Sequence, residues 1–185
     1  MRIVSGTHKG RLIHPPSNLN VRPTTDFAKE SLFDILNFRI DYEETSVLDF
    51  FSGTGSIAFE FASRGAKDVT AVDTNFKSTD FIRSAAEKFG FDNFKVVKAD
   101  VFAFIGFSKL KYDLIFADPP YDLEKIPLLP ELVFNQNLLN KGGILIIEHS
   151  RDNNFSSHPA FFEHRNYGKV NFSFFKEDCG LKTED

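Results

Sequence analysis

Apolar residues follow two rhythms along this chain. Up to about residue 44 the pattern is short, basic and turn-rich. "MRIVSGTHKGRLIHPP" predicts two short strands around Gly6 to Gly10, closed by Pro15 and Pro16. "RPTTDFAKESLFDILNF" predicts a helix capped by Thr24 or Thr25, with Phe27, Leu32, Ile35 and Leu36 as its apolar stripe. From Thr45 onward, strands and helices alternate. Strands are expected at 46–51, 68–73, 94–100, 112–118 and 142–150. Helices are expected at 56–65, stopped by Gly65, and at 79–90, capped by Thr79 and stopped by Gly90. "VFAFIGF" is a short helix or turn, and "IPLLPELVFNQNLL" a helix interrupted by Pro130. "FFEHRNYG" and "KVNFSFF" predict a closing hairpin in which Val170, Phe172 and Phe174 alternate.

The strands are nearly all apolar, which means burial on both faces. That marks a parallel sheet covered by helices. Right-handed crossovers then give an α/β fold with a doubly wound, mostly parallel seven-stranded sheet. The antiparallel C-terminal hairpin sits at one edge, and a small N-terminal β-hairpin and helix precede the sheet. The expected division is an N-terminal extension over 1–44, a main domain over 45–178 and a tail over 179–185. Ligands of such sheets bind at the carboxyl ends of the strands, so each strand end is a candidate site.

The chain has 185 residues, enough for one domain with a real core. No apolar run approaches the ~18 residues of a membrane span, and "MRIVSG" lacks the apolar region of a secretory signal. A lone cysteine, Cys179, cannot form an internal disulfide, which fits a reducing, cytoplasmic setting. The five histidines (8, 14, 149, 158, 164) lack metal-binding spacing, so surface or turn positions and no metal are expected. Charge is uneven. Residues 1–29 hold Arg2, Lys9, Arg11, Arg22 and Lys29 against Asp26, a net +4, so the remainder of a chain of net −4 carries −8. A basic arm on an acidic body suits contact with a polyanion. A solvated, slightly basic hairpin would give the same count.

The first strand runs into "LDFFSGTGSIAF", where Gly53, Gly55 and Ala58 fit G-x-G-x-x-A. Asp73 ends the next strand, 20 residues after Gly53. That is the loop-plus-acid arrangement that approaches a nucleotide with backbone and grips a ribose diol. Asp49, four residues before Gly53, changes the ligand. A carboxylate at this place repels a pyrophosphate and attracts a sulfonium compound bearing an α-ammonium group, by several kcal/mol at ~4 Å and an effective dielectric of about 20. The third strand ends at Asp100 and Val101, an acceptor for an exocyclic amine beside a surface for a purine ring. The fourth ends in Asp118, Pro119, Pro120 and Tyr121. Prolines fix φ and remove N–H donors. The turn therefore presents acceptors to an –NH2 group, and Tyr121 offers a stacking face worth ~1–3 kcal/mol per base.

"LDFFSGTG", "AVD", "KAD" and "DPPY", in this order, resemble a class I S-adenosylmethionine-dependent methyltransferase that methylates amines. "RIVSGTHKGRLI", "RPTTDFAKESLFDIL" and the closing "YGKVNFSFF" narrow the resemblance to the RsmD family, bacterial methyltransferases acting on a guanine N2 of 16S rRNA. It covers essentially the whole chain and implies a Rossmann-like methyltransferase fold. It also implies S-adenosylmethionine as cofactor, held by Asp49, Phe51, Gly53, Gly55, Asp73, Asp100 and Val101. Asp73 stands where many methyltransferases carry Glu. Asp118, Pro119, Pro120 and Tyr121 would grip the guanine amine. Arg2, Lys9, Arg11 and Arg22 would hold RNA phosphates. The implied partner is small-subunit rRNA, and the acidic body points to a partly assembled 30S particle.

Three other readings share part of this pattern. An adenine-N6 nucleic-acid methyltransferase uses the same "DPPY" chemistry, although the chain leaves no room for a large target-recognition domain. A nicotinamide-dependent oxidoreductase shares the glycine loop, and a non-catalytic RNA-binding relic shares the arm.

Overall fold

The computed structural model describes residues 1–16, 19 and 26–176. Arg22, the two candidate caps Thr24 and Thr25, and the tail with Cys179 lie outside the described residues.

Seven strands form one sheet: β1 (Ser46–Phe50), β2 (Asp68–Asp73), β3 (Phe94–Lys98), β4 (Tyr112–Ala117), β5 (Leu139–His149), β6 (Phe161–Tyr167) and β7 (Val170–Lys176). Their order is β3-β2-β1-β4-β5-β7-β6. The first five pair in parallel, while β7 runs antiparallel to both β5 and β6. The order reverses between β1 and β4, which opens a crevice at their carboxyl ends.

Helices cover both faces. One face packs against α1 (Asp26–Leu36), α2 (Ser56–Ser63) and α3 (Phe76–Phe89). The other packs against α4 (Val101–Phe107) and α5 (Leu129–Asn135). Strand alternation decides which side chain meets which layer. Val47, Leu114 and Ile144 join the α2 layer, whereas Leu48, Ile115 and Leu145 join the α4 layer. The same parity sends Asp49 and Glu148 to the α2 face. His149 goes to the opposite face.

Several boundaries differ from the pattern-based expectation. Helix α3 begins at Phe76, not Thr79, because Asn75 caps it by accepting from Lys77 N and Ser78 N. Thr79 is buried inside the helix and donates back to the carbonyls of Asn75 and Phe76. Pro130 starts α5 instead of interrupting it, since a proline in the first turn costs no hydrogen bond. Strand β5 begins at Leu139, earlier than expected, and a bulge absorbs Lys141 to Gly143 before Ile144 pairs with Leu114. On α1, Phe27 is 66% exposed, and the buried side is Ala28, Lys29, Leu32, Phe33 and Leu36. His149 is buried, not at the surface, and bonds the Ser150 carbonyl and Ser173 Oγ.

The N-terminal hairpin is closed by the Arg2–Leu12 bridge and bolted to α2. Glu60, fully buried in α2, accepts from Val4 N at 2.7 Å, Ser5 N at 2.9 Å and Arg64 Nε at 2.9 Å. The Ser63 carbonyl accepts from Thr7 N at 2.7 Å. Gly6 has a φ of +80°, and a Cβ there would stand 1.8 Å from that same carbonyl oxygen. A Gly6→Ala variant must therefore open this junction. It is expected to lose about 1–3 kcal/mol of stability, read as a lower urea midpoint, and to expose the first fifteen residues to limited proteolysis.

Candidate active site

A cleft of about 450 Å³ lies over the carboxyl ends of β1 to β5. Asp49, Phe51, Gly53, Asp73, Asp100, Val101, Asp118, Pro119, Pro120 and Tyr121 all line it. The parallel sheet brings together side chains up to 72 positions apart because each belongs to the end of a strand or the residues just after it. Gly55 is the exception. It is buried at the start of α2 with φ +75°, and a Cβ there would meet Phe59 and Ile82 at about 3 Å. Gly55 therefore shapes the loop and lets α2 pack, while Gly53 faces the cleft.

The loop after β1 is held by a ring of short contacts. Phe51 and Gly53 both adopt left-handed φ, at 57° and 54°. Ser52 N donates to the Val72 carbonyl at 3.1 Å. Gly53 N donates to Asp73 Oδ2 at 2.8 Å, and Asn75 N donates to Asp73 Oδ1 at 2.7 Å. Asp73 thus fixes two backbone turns. An ionised carboxylate offers about four lone-pair sites, which leaves capacity for a diol. Asp100 caps α4 by accepting from Ala103 N at 3.0 Å and remains exposed at the cleft rim. Val101 behind it is buried.

Asp49 is the electrostatic centre. It is 2% exposed, and its Oδ2 has no hydrogen-bond partner among the described residues. Burial pushes its carboxyl well above the usual range, against a hydrogen bond from the Ala58 backbone, and the charge of Asp73 pushes it up further. An ionised carboxylate held dry without a partner is costly. A cationic ligand in the cleft removes that cost, whereas a pyrophosphate compounds it. The donor set therefore fits the ammonium and sulfonium groups of S-adenosylmethionine and disfavours a dinucleotide.

Residues 1–176 match the model of a family described as "Conserved hypothetical protein 95". The chain is 30% identical to ribosomal RNA small subunit methyltransferase D of Buchnera aphidicola subsp. Baizongia pistaciae, over 80% of this chain and 75% of that one. The chain belongs to the RsmD family. Members of the RsmD family are S-adenosylmethionine-dependent methyltransferases, and so is this chain. Similarity extends to the Escherichia coli K12 protein named ribosomal RNA small subunit methyltransferase D, at 28% identity over 86% of this chain and 80% of that one. A solved Escherichia coli structure described as "Putative methyltransferase yhhF" superposes with a TM-score of 0.84 at 24% identity, covering 95% of this chain and 97% of that one. It shows the same fold.

Two features of this RsmD-family chain, one in the cleft and one beside it, are not evident from the sequence. Glu148, at the end of β5, is buried and lines the cleft, and its Oε1 accepts from the Tyr121 hydroxyl at 3.1 Å. Its signal was the one used for the other strands, an acid closing an apolar run in "GGILIIEHS". Lys29 is 1% exposed, and its Nζ donates to the Arg2 carbonyl at 2.5 Å and to Ser56 Oγ at 3.2 Å. It ties the arm to the first residue of α2, so its charge is unavailable to a polyanion. Burial lowers its pKa, partly offset by Glu60 and Asp26. Arg2 is exposed but forms ion pairs with Asp26 and Glu30. Lys9 and Arg11 are exposed on the hairpin.

Proposed function

We propose that this chain methylates the exocyclic N2 of a guanine in small-subunit (16S) rRNA. The carrying observation is that the turn Asp118 to Tyr121 shares one cleft with Asp49, so amine acceptors sit beside a site built for a cation. The names of the relatives supply the RNA: those from Buchnera aphidicola and Escherichia coli are ribosomal RNA small subunit methyltransferases. The setting is the cytoplasm, where rRNA is made and assembled. No described helix is long and apolar enough to cross a membrane.

In this reading Asp49, Phe51, Gly53, Asp73, Asp100 and Val101 hold the cofactor, with Gly55 shaping its loop. Asp73 takes the ribose hydroxyls, and Asp100 with Val101 takes the adenine. When bound, the cofactor supplies a methyl group on cationic sulfur, and the C–S bonding pair stays with sulfur as the amine nitrogen takes the methyl. Asp118 and the proline turn accept from the amine protons, which localises the nitrogen lone pair and stabilises charge developing there. Asp118 then holds the proton that N2 gives up. Tyr121 stacks on the base, which must leave its own stack to reach the cleft. Fixing base and methyl donor together contributes up to roughly 7–11 kcal/mol.

Residues 1–44 form the RNA-binding extension, with Lys9 and Arg11 as its exposed charges and Arg2 and Arg22 completing the basic set. The substrate is a partly assembled 30S particle, whose ribosomal proteins offer basic surface to the acidic body. Incubating purified protein with S-adenosylmethionine and either naked 16S rRNA or 30S particles, then digesting the RNA for mass spectrometry, tests this directly. N2-methylguanosine is expected, and N6-methyladenosine would replace this reading with the adenine one. Replacing Lys9 and Arg11 together by alanine is expected to weaken RNA binding and to lower the slope of log K against log salt by about 2.

A further inference from the structure

Proline turn and glycine loop are shared by enzymes that methylate adenine and enzymes that methylate guanine, so neither explains the choice of base. Glu148 does bear on it. Ala117 of β4 and Ile147 of β5 are partners in the sheet, so Asp118 and Glu148 follow side by side at its carboxyl edge. Both line the cleft. Glu148 is only 4% exposed, and the Tyr121 hydroxyl fixes its Oε1 at 3.1 Å. A second carboxylate is therefore held rigidly next to the turn that meets the amine. A carboxylate carries about four lone-pair sites, and the Tyr121 hydroxyl takes one of them.

The two purines differ at this point. Guanine presents its 2-amine next to N1–H, two donors in a row. Adenine presents its 6-amine next to N1, a donor next to an acceptor. An enzyme that flips a base reads this edge by hydrogen bonds.

We infer that Glu148 is the specificity-determining residue, its carboxylate accepting from guanine N1–H while Asp118 and the proline turn accept from the 2-amine. Against adenine, the same carboxylate faces a ring nitrogen lone pair. Both acceptors have then lost water and gained nothing, which rejects the wrong base. Tyr121 serves the same selection by holding Glu148 in place while stacking on the ring. This inference rests on the guanine reading above.

The test uses a synthetic fragment of small-subunit rRNA with guanine or 2-aminopurine at the methylated position. 2-Aminopurine keeps the 2-amine but has a bare N1. Wild-type protein should transfer methyl to guanine at least about tenfold faster in kcat/KM, the low end for a charged hydrogen bond. In Glu148→Gln the guanine value should fall about ten- to a hundredfold while the 2-aminopurine value changes little, so the ratio collapses. S-Adenosylmethionine affinity, measured by calorimetry, should stay within about twofold. Tyr121→Phe keeps the carboxylate but releases its Oε1, and should narrow the preference less than Glu148→Gln does. A wild-type protein indifferent to the two bases overturns the inference, whatever the variant does. So does a Glu148→Gln variant that loses both substrates equally or neither. If wild type methylates adenine and not guanine, the substrate reading fails first and the inference with it.

Discussion

Asp118→Ala is expected to lower kcat for methyl transfer by about 10²–10⁴-fold, the range spanned by loss of a positioned proton acceptor and loss of transition-state charge stabilisation. The amine of a nucleobase is a weak nucleophile because its lone pair is delocalised into the ring. Asp118 follows the last residue of β4 and sits where the stiff proline turn begins. It shares the cleft with Asp49, Asp73 and Asp100. In the proposed mechanism its removal acts on the reacting nitrogen and leaves the arm and the glycine loop untouched. S-Adenosylmethionine and RNA affinities should therefore stay near wild type while single-turnover transfer collapses. Near-normal transfer by this variant would show that Asp118 does not act on the amine.

Asp49→Asn should move cofactor affinity and stability in opposite directions. The buried carboxylate is a liability in the cofactor-free protein, since burial holds its pKa well above the ordinary value. Cofactor-free stability thus falls as pH rises from the ordinary carboxylate range through the raised folded value, because the unfolded chain gives up that proton more readily. Asparagine removes this dependence. The variant is expected to be more stable than wild type on the alkaline side of that window, by about 1–3 kcal/mol, and the two should converge in acid. Affinity for S-adenosylmethionine should drop about ten- to a hundredfold, for want of the charge that meets its ammonium group. Calorimetry and thermal unfolding of cofactor-free protein read the two effects separately. A variant that is less stable and binds normally would remove Asp49 from the cofactor site.

Arm and cleft are less separate than the chain's change of style at residue 44 implies. Lys29 links the Arg2 carbonyl to Ser56, which itself lines the cleft. Glu60 holds Val4 and Ser5 from the same helix that starts at the glycine loop. Local disruption at Gly6 is therefore expected to reach the glycine-loop end of the cleft through α2.

The sheet was legible in the linear pattern because a strand buried on both faces must be apolar throughout, and Gly and Asp punctuate its end. Parallel pairing then forces the ends of β1, β2 and β4 to one edge. That is why the sequence alone places Asp49, Asp73 and Asp118 at one edge, where they line one cleft. Other features depend on partners far away along the chain. Phe27 reads as core at helical spacing, yet it faces outward, and Lys29 takes the buried place because the Arg2 carbonyl and Ser56 wait for its ammonium group. Nothing near Gly6 in the sequence announces the Ser63 carbonyl that excludes a side chain there. Glu148 and Tyr121 are 27 residues apart and meet only because β4 and β5 are neighbours in register. Periodicity reports which face of an element is dry. It does not report which group from another element comes to satisfy the charge, and in this protein the pairing of distant polar groups joins the arm to the cleft.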